Sequence, residues 1–193
     1  MLNTLQNIDR SIFIFFNRDI ANPLFDFIMP ILTRGTTWIL PLVIMGYLYW
    51  RRKHGNALVI MAASIILIGL SDLISVRLLK PLFDRARPCN PDALVEGGRF
   101  LVGNLRSLSF PSSHAFNSAA FAAYFTYFLP HRKKLLFGIA ILIGFTRIYV
   151  GVHYPFDVAG GWISGSFLGF LYAALIAIII RPRKKLFYTP NGN

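Results

Sequence analysis

Three short stretches of this sequence hold side chains suited to binding and attacking an anion. Lys80-Pro-Leu-Phe-Asp-Arg-Ala-Arg87-Pro88 sets two cations seven residues apart. Pro111-Ser112-Ser113-His114 places a histidine just where an apolar run begins. In Arg147-Ile-Tyr-Val-Gly-Val-His153-Tyr-Pro-Phe-Asp157, a histidine follows an arginine by six residues and precedes an aspartate by four. Lys80, Arg87 and Arg147 carry about three positive charges, a match for phosphate or pyrophosphate, and guanidiniums bind such oxygens bidentately. Pro155 suits the first turn of a helix, which places Asp157 in that turn and within reach of His153. Its carboxylate can take a hydrogen bond from one imidazole nitrogen, leaving the other unprotonated and nucleophilic. Ser109 or Ser112 can cap the helix that starts near His114, and the free N–H groups of that first turn favour an anion.

Such residues act together only if the chain brings them to one face. Five stretches reach membrane-spanning length with their flanks: Thr36–Trp50, Ala57–Leu79, Ala115–Leu129, Leu135–Val152 and Phe156–Ile180. Alternating spans put the ends of the second and fourth, and the starts of the third and fifth, on the same side. That side also holds Lys80–Phe110, a 31-residue connection with no clear helix or strand pattern. Connections of that length tend to be functional. Basic clusters at Arg51-Arg52-Lys53, Arg132-Lys133-Lys134 and Arg181/Arg183-Lys184-Lys185 lie at the other ends. The positive-inside rule makes theirs the cytoplasmic side. The candidate site then faces outward from a bacterial-type inner membrane.

Residues 1–33 read differently. Leu2, Leu5, Ile8, Ile12, Phe15 and Phe16 recur at helical spacing, with Asp9, Arg10, Arg18 and Asp19 on other faces. Asn22-Pro23 looks like a cap and first-turn proline opening a second short helix, Leu24–Leu32. Two acid–base doublets are costly in lipid, so these helices are expected to lie in the interface, with a sixth span as the rival reading. The expected organisation is N-terminal interfacial helices (1–33), a transmembrane domain (34–185) and a tail (186–193), an all-α polytopic bundle.

Composition sets the same limits. The 193 residues are 55% hydrophobic and 15% charged with a net charge of +12, against about 25% charged in ordinary soluble domains. A soluble nucleic-acid binder would carry its basic residues on a polar surface, so no nucleic-acid partner is expected. Cys89 is the only cysteine, which excludes a disulfide scaffold.

The three stretches resemble the motifs of the type 2 phosphatidic-acid phosphatase family, which includes vanadium haloperoxidases: Lys-x6-Arg-Pro, Pro-Ser-Gly-His and Ser-Arg-x5-His-x3-Asp. Lys80, Arg87, Pro88, Pro111, Ser112, His114, Arg147, His153 and Asp157 match, while Ser113 replaces the usual glycine and Thr146 the usual serine. The resemblance implies a metal-independent lipid phosphatase without a cofactor. In it, His153 attacks phosphorus, Asp157 holds its tautomer and His114 protonates the leaving oxygen. Lys80, Arg87, Arg147 and the Ser112/Ser113 backbone would stabilise the equatorial oxygens. The expected partners are a lipid phosphate and membrane lipids, with no obligate protein partner. Undecaprenyl pyrophosphate and the lipid A 1-phosphate lead as substrates, and phosphatidylglycerol phosphate and phosphatidic acid also fit. A non-enzymatic lipid-binding or transport protein is the competing class, although binding alone needs no oriented nucleophile.

The remaining notable residues have plainer readings. His54 and His131 flank span ends, and Cys89 reads as an unpaired loop thiol. Arg85, Arg99 and Arg106 read as solvated loop charges, and Arg77 divides evenly between lining the site and snorkelling. Gly160, Gly161, Gly165 and Gly169 are expected to permit close helix packing.

Overall fold

The computed structural model describes residues 2–52 and 56–180. The chain is all-α: α1 (Leu2–Ile14), α2 (Pro23–Leu32), α3 (Ile39–Arg52), α4 (Ala57–Leu73), α5 (Lys80–Phe83), α6 (Ser113–Phe128), α7 (Lys133–Tyr149) and α8 (Pro155–Ile180). A π-helical turn, Ile74–Leu79, joins α4 to α5 without a break. Ala57–Phe83 and Pro155–Ile180 are each long and apolar enough to cross a membrane.

Close approach of α6 and α8 organises the bundle. Gly161, Gly165 and Gly169 recur every fourth residue along α8. A Cβ at Gly161 would lie 2.7 Å from the carbonyl oxygen of Ser112, and at Gly165 and Gly169 it would run into the Phe116 and Ala120 carbonyls. Opposite them, Ala115, Ala119, Ala120 and Ala123 are buried on α6. Small residues on both helices allow backbone contact, which drives association where lipid offers no hydrophobic gain. Many large apolar side chains face outward: Ile65, Ile163 and Phe167 are 73%, 74% and 72% exposed. An outward face this apolar suits hydrocarbon and not water.

Several boundaries move from where the sequence pattern puts them. The fourth apolar stretch stops being helical at Tyr149, not Val152, because Gly151 takes φ +89° and turns the chain. The connection after the second stretch begins as helix α5 and leaves it at Asp84, in the left-handed region at φ 43°. Lys53, His54 and the cluster from Arg181 to Lys185 lie outside the described residues, as does the tail.

The N-terminal helices do more than rest against the bundle. Asn22 caps α2 by accepting the Phe25 N–H at 3.0 Å. A π-helical turn at Phe15–Asp19 carries Asn17, which is buried. The Asn17 amide donates to the carbonyls of Arg99 and Tyr149, at 2.8 Å each, and accepts the Arg99 N–H at 2.6 Å. Asp26 of α2 accepts from the Arg99 guanidinium and, at 2.7 Å, from the Tyr149 hydroxyl. The Arg99 hydrogen bond draws the Asp26 carboxyl below its ordinary value. Their polar groups therefore fasten the long loop, at Arg99, and the end of α7, at Tyr149.

Candidate active site

His153 sits in the short connection between α7 and α8 and is 1% exposed. Its Nε2 lies 2.9 Å from Nη1 of Arg87, which also donates to the Val152 carbonyl at 3.0 Å. A guanidinium can only donate, so Nε2 is the acceptor and carries the unprotonated lone pair. The proton then belongs on Nδ1, which faces Asp157 Oδ2 at 3.5 Å and Ser109 Oγ at 3.3 Å. Asp157 is fixed from several sides. Oδ2 accepts from the Ser109 hydroxyl at 2.5 Å and the Tyr154 N–H at 2.8 Å, and Oδ1 from Arg85 at 2.8 Å. Burial first, then the cations Arg87, Arg147 and Lys80, hold the His153 imidazole well below its ordinary pKa. It is a neutral nitrogen base in a cationic surround.

The cations come from three elements. Lys80, buried at the start of α5, donates from Nζ to the carbonyls of Leu108 and Ser109 at 2.7 and 3.3 Å. Arg87 is anchored through Nε to the Ser107 carbonyl at 2.9 Å and its hydroxyl at 3.1 Å. Burial lowers the pKa of its guanidinium from the ordinary value. Arg147, in the last turn of α7, donates to the Thr33 hydroxyl at 2.5 Å, while its buried Nε has no partner. Thr33 also accepts from Thr146 at 3.2 Å, and its backbone meets His114. Lys80, Arg87, Arg147 and His114 all lie close enough to His153 to act on its charge.

The start of α6 completes the arrangement in a different way from the sequence expectation. Ser112 occupies the N-cap position, but its buried hydroxyl has no partner, and its N–H is taken by the Asp157 carbonyl at 2.9 Å. The next N–H groups of α6 remain without an intrahelical acceptor, as at any helix start. Ser109 does not cap; its hydroxyl serves Asp157. The Ser113 hydroxyl turns away to Ser75 Oγ at 2.6 Å, tying α6 to the π-helical turn before Lys80.

His153, Asp157, His114, Lys80, Arg87, Ser112, Ser113 and Arg147 are thus brought to one end of the bundle. Four contributors escaped the sequence reading. Arg85, read as a solvated charge, bridges Asp157 and Asp9, with the latter contact at 2.6 Å. Arg99 pairs with Asp26, whereas Arg106 does stay exposed beside Asp92. Thr33 carried no signal beyond its place after α2. Asp9 did carry one: an acid on an apolar helix needs a partner. Among the described residues no group of three or more His, Cys, Asp or Glu side chains could hold a metal ion.

Comparisons with known proteins converge on one family. The PAP2 superfamily model matches residues 53–181. The lipid A 4′-phosphatase of Bacteroides thetaiotaomicron is 31% identical over 177 residues, covering 89% of this chain and 78% of that protein. An undecaprenyl-diphosphatase of Sulfolobus acidocaldarius is 33% identical over 141 residues, 72% of this chain and 63% of its own length. The crystal structure of the transmembrane PAP2-type phosphatidylglycerolphosphate phosphatase from Bacillus subtilis superposes with a TM-score of 0.69 at 28% identity. That superposition covers 94% of this chain and 90% of the other.

Proposed function

The chain belongs to the PAP2 superfamily of membrane lipid phosphatases, and from that premise we propose that it cleaves a lipid phosphate through a phosphohistidine on His153. The observation that carries this reading is the Arg87 N–H donated to His153 Nε2, which marks the unprotonated lone pair amid three cations. In-line attack by Nε2 forms the N–P bond as the lipid oxygen leaves, and Asp157 and Ser109 hold the Nδ1 proton. His114 donates the proton that the leaving oxygen takes up, then accepts one from the water that releases phosphate. Lys80, Arg87 and Arg147 supply the charge stabilisation for the equatorial oxygens, so the step needs no metal. The Ser113 N–H and the other free N–H groups of the first turn of α6 add donors at the helix start.

The chain crosses the membrane as five helices, α3, α4 with α5, α6, α7 and α8, with residues 1–33 lying in the interface. Asn56 reaches the Ile180 carbonyl at 3.4 Å, so the start of α4 and the end of α8 share the end opposite the site. Arg51, Arg132, Lys133 and Lys134 flank that same end and support a cytoplasmic location for it. The site then opens on the extracytoplasmic face of a cytoplasmic membrane. Undecaprenyl pyrophosphate or a lipid A phosphate is the substrate the cationic surround favours. Relatives acting on both, and on phosphatidylglycerolphosphate, support a panel test. Detergent-solubilised protein is given each lipid in turn, with phosphatidic acid included, and phosphate release is followed. The preferred substrate should exceed the others in kcat/KM by about tenfold, and acid quench should trap a phosphohistidine. Turnover without the trapped species, or full inhibition by chelator, contradicts the mechanism.

A further inference from the structure

Asp9 is a buried carboxylate on a helix that lies outside the segment matched by the family. Both of its oxygens are used. Oδ2 accepts from Nη2 of Arg85 at 2.6 Å, and Oδ1 accepts the Phe156 N–H, next to Asp157, at 2.9 Å. The other arm of the same guanidinium reaches Asp157 Oδ1 at 2.8 Å, and the Arg85 carbonyl accepts the Ser109 N–H at 2.7 Å. The guanidinium also lies over the Tyr154 ring, 4.2 Å from its centre. Burial raises the Asp9 carboxyl, and Arg85 and the Phe156 N–H oppose that shift.

From this chain of contacts we infer that Asp9 and Arg85 are positioning residues for the reaction, joining the N-terminal helix to Asp157 and, through it, to His153. The inference rests on His153 being the nucleophile proposed above. Arg85 is shared between two carboxylates, so Asp157 is held in place without being paired one to one. Part of its negative charge stays available to the imidazole ring when phosphorylation makes that ring cationic. With Asp9 neutral, Asp157 becomes the only carboxylate paired with Arg85, which draws the Asp157 charge away from Nδ1–H. Phosphate binding is left alone, because Lys80, Arg87 and Arg147 do not touch Asp9. The Phe156 contact has the same effect on geometry: it ties the first turn of α8, which carries Asp157, to α1.

The test uses the full-length protein in detergent with its preferred lipid phosphate from the panel. Asp9→Asn, which keeps the shape, should lower kcat about 10- to 100-fold, the range seen when groups that orient active-site ligands are removed, with KM within about twofold. Single-turnover formation of phosphohistidine should slow by the same factor. Arg85→Lys retains the charge but cannot bridge both carboxylates, and should show the same split. Should Asp9→Asn fail to fold, Arg85→Lys gives the readout alone. The double variant Asp9→Asn with Arg85→Lys should be little worse than the worse single one, because both break one linkage. Wild-type kcat in both single variants, or a loss confined to KM, overturns the inference. Absence of a trapped phosphohistidine in the unmodified protein would instead overturn the role of His153.

Discussion

The two faces of α8 near its N-terminal half are held by opposite means. Toward α6 it presents glycines to carbonyl oxygens, and nothing there is charged. Toward the loops it presents Asp157, met by a hydroxyl, a backbone N–H and a guanidinium. The first contact works through what is absent, a Cβ, and on the α8 side only glycine leaves room for the facing carbonyls. The second works through donors aimed at specific oxygens, and its members are not interchangeable. A seam of this kind fixes the distance between helices, whereas the polar cap fixes which nitrogen of His153 carries the proton. The seam should therefore govern folding and the cap turnover.

Substitutions can break that division or sharpen it. His153→Ala should cut phosphate release by about four orders of magnitude or more, with the detergent-solubilised protein still monodisperse and its melting temperature kept. A large drop in melting would assign the cap to stability and defeat the contrast. Gly165→Leu, by contrast, should remove folded protein itself, since overpacking a contact this tight costs about 3 kcal/mol or more. Yield and gel-filtration profile report it, and any protein that does fold should retain its kcat. Arg87→Lys keeps a charge but loses the anchor to Ser107 and the fork, and should lower kcat/KM by about 100-fold.

Acidity gives a finer probe. Burial and neighbouring cations depress the pKa of His153, so protonation of Nε2 requires a pH well below 6.5. The free enzyme should keep its nucleophile as pH falls through 6.5, and kcat/KM should show no acid limb there beyond ionisation of the lipid phosphate, followed separately by phosphorus NMR. A limb at 6.5 owed to the protein would mean that the cap does not shield the ring. The smallest effect belongs to Ser113→Gly. Losing the Ser75 contact should lower stability by about 1 kcal/mol and leave kcat within about threefold, as measured by thermal melting and turnover.

The seam was readable because its signal is local: small residues at every fourth position of one apolar segment. Lys80, Arg87, Arg147, His153 and Asp157 were readable as chemistry for the same reason, each spacing being short. What lay beyond reach was pairing across long separations. Arg85 and Asp9 are 76 residues apart, and Thr33 and Arg147 are 114. Nothing in the sequence near Arg85 distinguishes it from Arg106, which stays in solvent. The helix end at Tyr149 escaped because Val150 and Val152 continue the apolar pattern across a backbone turn that Gly151 alone permits.

The contact between Arg87 and His153 gives the resting enzyme an unusual chemical character. At 2.9 Å, with the ring almost fully enclosed, the guanidinium would act as a reversible protecting group on the proposed nucleophile. Neutral electrophiles that alkylate free imidazoles meet an engaged lone pair. In the proposed reaction a phosphate dianion would offer the guanidinium a better acceptor and so expose the nitrogen in the act of binding. Selectivity for phosphorus over carbon would then follow from the unmasking itself.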